Sequence, residues 1–157
     1  LILAISLLKK ANISELFIKI IYMNINILLP IFLYKCLKLK YSKIESIYLF
    51  LFSLIVFLSP TFRSLIVWPD SRILGVTIFT ISIYYFIQFQ KKKDFKNAFL
   101  NILFYTLSSY ISPNFAIFAI FFVYVYYKEF GFFSKNFIII IILNILLSLP
   151  ALYYIFI

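Results

Sequence analysis

Histidine is absent from this chain of 157 residues, cysteine occurs once, glycine twice, and there are only five acidic side chains. Each scarcity removes a class of chemistry. Without histidine, the familiar means of activating a serine or cysteine nucleophile are missing, and no Ser/His/Asp or Cys/His set can be assembled. Cys36 alone forms no internal disulfide, and it leaves no zinc or haem ligand set. No metal and no cofactor is therefore expected within the chain, and Cys36 reads as a bland residue at a helix end. Gly75 and Gly131 stand far apart, so a glycine-rich phosphate loop is excluded too.

What fills the chain instead is hydrocarbon. Apolar residues make up 65% and aromatics 22%, against 13% charged, far from the balance of a soluble domain. This is the composition of an integral membrane protein. At about 20 apolar residues per helical crossing, the length allows five or six membrane segments and no separate soluble domain. The chain opens on Leu1 and closes on Ile157 inside an apolar run. We therefore read residues 1–157 as a single transmembrane domain, truncated at both ends.

Apolar segments run approximately over Leu16–Tyr34, Ile44–Ser59, Ile73–Phe89, Phe95–Ile111, Phe115–Tyr127 and Phe137–Ile157. They are continuously apolar rather than alternating, which predicts helices and an all-α polytopic bundle, because lipid leaves each backbone amide to be satisfied within its own segment. The segments starting at Ile44 and Phe95 are short for a crossing and must borrow flanking residues. Phe115–Tyr127 follows the previous segment after only Ser112-Pro113-Asn114. A tight hairpin and one long helix kinked at Pro113 compete here. The proline biases its predecessor away from helical angles and Asn114 suits a turn, which favours the hairpin.

Charge gives the same preference. With the hairpin, Lys35, Lys38, Lys40 and Lys43 share a side with Lys91, Lys92, Lys93, Lys96, Lys128 and Lys135, and the opposite face holds only Arg63 and Arg72 in its short loops. The positive-inside rule then predicts cytoplasmic lysine loops, with residues 60–72 outside. Lys9, Lys10 and Lys19 are misfits, accommodated if Lys19 snorkels or Leu1–Ala11 lies along the surface. Anionic head groups suffice as partners for the lysine loops. Because the lysines are split among apolar spans instead of lining a water-facing groove, no nucleic-acid partner is expected. Glu45, Asp94 and Glu129 read as charge partners within those loops, and Asp70 alone accompanies the arginines.

The most informative stretch is LSPTFRSLIVWPDSRILG, from Leu58 to Gly75, which gathers Arg63, Trp68, Asp70 and Arg72 at one membrane boundary. An arginine there can make a forked contact with a lipid phosphate that lysine cannot reproduce, or it can simply snorkel to head groups. Asp70 can orient either arginine, accept from sugar hydroxyls, or cap the following helix. Trp68 can pack on a sugar face or anchor in the interfacial belt.

An apolar helix ending in Ser59-Pro60, then Phe62-Arg63, Trp68-Pro69-Asp70, the helix ILGVTIFTISIYYF and the basic turn QKKKDFK together resemble the GT-C glycosyltransferases. The bacterial subgroup related to protein mannosyltransferases and lipid A aminoarabinose transferase is most similar in pattern, over about Leu29 to Ile120. The resemblance implies a GT-C core in the bacterial inner membrane that moves a sugar from a polyprenyl-phosphate donor to a lipid or surface-glycan acceptor at the outer face. It implies substrate-binding roles for Arg63, Trp68, Asp70 and Arg72. Such enzymes carry their essential acid on an earlier outer loop that these residues lack, so no catalytic residue is assigned and no transfer is expected from this segment alone. A lipid-linked glycan flippase or other transporter subunit, and a structural membrane subunit without substrate, are the alternatives.

Overall fold

The computed structural model describes residues 14–68 and 70–156, and among them the chain forms seven α-helices, two short 3-10 turns and no strand. Helix α1, Glu15–Lys40, begins where Ser14 Oγ accepts the Phe17 amide at 3.3 Å, and it ends with Lys38 and Lys40 complementing its C-terminal dipole. Its 26 residues continue through Pro30, and its buried stripe, Ile18, Tyr22, Asn26 and Leu29, follows helical spacing.

The second apolar segment is not one rod ending in a loop. Helix α2, Ser46–Leu54, tightens into a 3-10 turn over Ile55–Leu58 and stops, and a new helix α3, Pro60–Val67, leaves at 72° to it. The cause is local. Pro60 forces Ser59 into extended geometry, with ψ at 119°, while suiting the first position of the next helix, and Ser59 Oγ caps that helix by accepting the Phe62 amide at 3.2 Å. Arg63, expected in a loop, is therefore held on a helix.

Helix α4, Ser71–Lys92, starts at the Asp70 cap and ends at Lys93, whose φ of 54° is the left-handed close of the helix. Helix α5, Phe95–Ile111, is followed by a 3-10 turn at Pro113–Phe115, helix α6 at Phe118–Phe130 and helix α7 at Lys135–Phe156. The hairpin reading of Pro113 agrees with the geometry. Tyr105 of α5 faces Phe122 of α6 with ring centroids 5.1 Å apart, and Lys93 and Glu129, which flank the far ends of the two helices, form an ion pair.

Contacts order the helices along one axis. Tyr22 meets Asp70, Asn26 meets Thr77 and Phe32 meets Tyr84, so α1 and α4 run in the same direction. Between them the broken α2–α3 leg returns, with Phe50 beside Tyr34, Phe62 against Leu29 and Trp68 against Lys19. The turns carrying Lys40 and Lys43, Lys91 to Lys93, and Lys128 and Lys135 consequently collect at one end, and Trp68, Asp70 and Arg72 lie at the other.

The core lies mainly among α4 to α7, where Phe86, Phe89, Ile102, Phe122, Tyr126 and Ile140 are buried together. Polar groups are buried with them. Asn101 Nδ2 donates to the Ser82 carbonyl and hydroxyl at 2.9 and 2.8 Å, and Tyr126 donates to Asn101 Oδ1 at 2.7 Å, tying three helices. Outside, Leu58, Ile117 and Ile120 are each more than 70% exposed. Buried amides beneath an apolar exterior invert the arrangement of a water-soluble protein and suit a lipid surround.

Helices α1 and α4 are long and apolar enough to cross a membrane, and the bent α2–α3 pair makes a third if taken as one span. Helices α5 and α6, at 17 and 13 residues, fall short of the length of about 20 that a perpendicular crossing needs, and α7 is apolar over Lys135–Leu149. Lys9, Lys10 and Leu1–Ala11 lie outside the described residues.

Candidate functional site

At the arginine end the chain passes from α3 to α4 through Trp68-Pro69-Asp70, and the elbow is held by α1. The Tyr22 hydroxyl accepts the Asp70 backbone amide at 3.0 Å and donates to the Asp70 carbonyl. One side chain thus satisfies the Asp70 amide, which has no helical acceptor, and adds a second donor to the carbonyl that already accepts the Leu74 amide at 3.4 Å. One turn earlier on α1, the Lys19 ammonium sits 4.2 Å from the centroid of the Trp68 ring. That stacking gives Lys19 a cation–π partner at this end, and it leaves Trp68 61% exposed.

Asp70 serves two purposes at once. Its Oδ1 accepts the Arg72 amide at 2.7 Å, capping α4, and its carboxylate takes the Arg72 guanidinium in a fork, with Nη2 to Oδ2 at 2.9 Å and Nε to Oδ1 at 3.2 Å. Hydrogen bonding and charge from Arg72 hold the Asp70 carboxyl below its ordinary range, so it is ionised at neutral pH. It is also fully engaged. An acid that accepts three donors and already carries a cation is an orienting group, not a free base.

Arg63 differs from Arg72. It lies on the exposed side of α3, next to Phe62, which with Ile66 packs against Leu29 midway along α1. Among the described residues it has neither hydrogen-bond nor ion-pair partner. Five residues of chain, about 7 Å of helical rise, separate it from Trp68. Its guanidinium therefore keeps all five donors for an external acceptor.

The four residues singled out in the sequence fall into two groups. Trp68, Asp70 and Arg72 are drawn together at the elbow by Lys19 and Tyr22, while Arg63 stands apart on the broken helix that leads to it. Lys19 and Tyr22 are the additions. The signal for Tyr22 was the Ile18-Tyr22-Asn26-Leu29 stripe, in which a hydroxyl and an amide interrupt an otherwise apolar face, and that for Lys19 was its misfit with the lysine bias. No cluster of histidine, cysteine or carboxylate residues that could hold a metal ion occurs among the described residues. No family model, curated protein or solved structure matches the chain.

Proposed function

We propose that this chain is part of an integral-membrane glycosyltransferase of the GT-C type, with the arginine end at the outer face of a bacterial inner membrane and the lysine end in the cytoplasm. Its role is to bind the phosphate of a polyprenyl-phosphate sugar donor, from which the sugar passes to a lipid or surface-glycan acceptor. The observation that carries this reading is Arg63: an exposed guanidinium without a partner, on a helix leading to an aromatic ring and a pre-formed Asp70–Arg72 pair. A guanidinium fork matches phosphate geometry and stabilises the charge left on the phosphate when the glycosidic bond breaks. Asp70 keeps Arg72 oriented, and the free face of Trp68 offers a surface for the sugar. The acid of the reaction is assigned to no residue of this chain.

A second reading, a lipid-linked glycan flippase or transporter subunit, is favoured by one feature, the 72° break at Ser59–Pro60 beside Arg63. Transporters build binding sites at discontinuous helices. The two readings separate in proteoliposomes of the full-length protein loaded with a polyprenyl-phosphate sugar. Release of free polyprenyl phosphate with a glycosylated acceptor supports the transferase. Movement of intact donor between leaflets without release supports the transporter and removes the first reading.

A further inference from the structure

A second candidate site lies on the α6–α7 side of the fold. Ile120, Val123, Tyr124 and Tyr127 recur at helical spacing along one face of α6, and with Phe132 and Phe137 they wall an apolar groove of about 630 Å³. Tyr127, Phe132 and Phe137 belong to the α6–α7 turn region that also carries Lys128 and Lys135. Tyr124 and Phe132 stay 60% and 61% exposed at its walls, and Phe133 beside it is 89% exposed, as aromatics of an interfacial belt are.

The charge next to these lining residues in the chain is one-sided. Lys128 follows Tyr124 by one helical turn, Lys135 opens α7, and both are exposed with no ion-pair partner among the described residues. The nearest acid, Glu129, is already taken by Lys93. An apolar slot whose lining residues Tyr127 and Phe137 are flanked in the chain by two uncompensated lysines complements a molecule with a hydrocarbon chain and an anionic head.

We propose that this groove is a binding site for an anionic glycerophospholipid of the leaflet on the lysine side. One acyl chain lies along Ile120, Val123 and Tyr124, and the phosphate meets Lys128 and Lys135. The inference rests on the membrane reading of the chain, which fails separately if alkaline carbonate strips the protein from membranes.

The test is native mass spectrometry of the delipidated full chain titrated with phosphatidylglycerol or phosphatidylcholine of identical acyl chains. Each lysine near a head group adds about fivefold in affinity, so phosphatidylglycerol should be retained roughly tenfold or more over phosphatidylcholine. Lys128→Gln with Lys135→Gln should erase that preference, while Lys91→Gln with Lys92→Gln, which removes equal charge elsewhere on the same end, should leave it standing. Val123→Phe should lower retention of both lipids. Equal retention by the wild type, or equal loss in the two lysine pairs, would overturn the site. So would a dimer that Val123→Phe dissociates without changing lipid uptake, which would mean that a second copy covers the groove.

Discussion

Tyr22 and Asp70, 48 residues apart, are joined twice, the hydroxyl accepting the Asp70 amide at 3.0 Å and donating to its carbonyl. This double contact anchors the α3–α4 elbow to α1 and so sets where Trp68 and the Asp70–Arg72 pair stand. Tyr22→Phe keeps the ring and removes both hydrogen bonds. Leaving the Asp70 amide unpaired, with its carbonyl keeping only the 3.4 Å bond from the Leu74 amide, should destabilise the protein by about 1–3 kcal/mol. Thermal unfolding in detergent should show a lower midpoint, and an unchanged midpoint would mean that the elbow is held elsewhere.

Asn101 is buried between three helices, with its amide on Ser82 and its carbonyl oxygen receiving the Tyr126 hydroxyl. Tyr126→Phe removes one interhelical hydrogen bond while preserving the ring contact with Phe89, whose centroid is 4.9 Å away. The expected loss is about 0.6 kcal/mol and at most roughly 2, the range for such bonds in membrane bundles. Asn101→Ala should cost more, because it strands Tyr126 and Ser82 together. Equal effects of the two substitutions would contradict the network.

Gly75 allows α4 to approach the α5 terminus. A methyl group added there would stand 2.7 Å from Ser112 Cβ and 3.2 Å from the Phe115 ring. Gly75→Ala gains helix propensity but must push Ser112 away, so a net loss of about 1–3 kcal/mol is expected. Denaturation of the purified variant measures it, and a stabilised variant would show that the contact yields freely.

The helical class and most of the helix positions were legible in the sequence because lipid demands long apolar runs and marks their ends with lysine, proline and turn residues. The Pro113 hairpin was legible for the same reason. The break at Ser59–Pro60 was not, although its signals were present. Serine before proline is a helix start, but the apolar run through Leu58 hid the bend, and Arg63 was therefore expected in a loop. Lys19 looked like a topological misfit until Trp68, far along the chain, was found beneath its ammonium. Tyr22 and Asn101 left no local trace of their partners, because pairing across 19 to 48 residues depends on how helices pack.

Sidedness has its own test. Reporter fusions after Lys40, Lys93 and Lys128 should all show cytoplasm, and one after Asp70 should show the outside, as the lysine bias requires. An external signal after Lys128 would break the shared side of the three lysine turns, two of which, at Lys91–Lys93 and at Lys128, are joined by the Lys93–Glu129 pair.

The role given to Arg63 is tested most directly by Arg63→Lys in the full-length protein, assayed for sugar transfer from a polyprenyl-phosphate donor at matched protein levels. Lysine keeps the charge and loses the forked geometry, so transfer should fall roughly tenfold or more, about 1.4 kcal/mol per decade of rate. Wild-type transfer by the lysine variant would contradict phosphate recognition and leave Arg63 a membrane anchor.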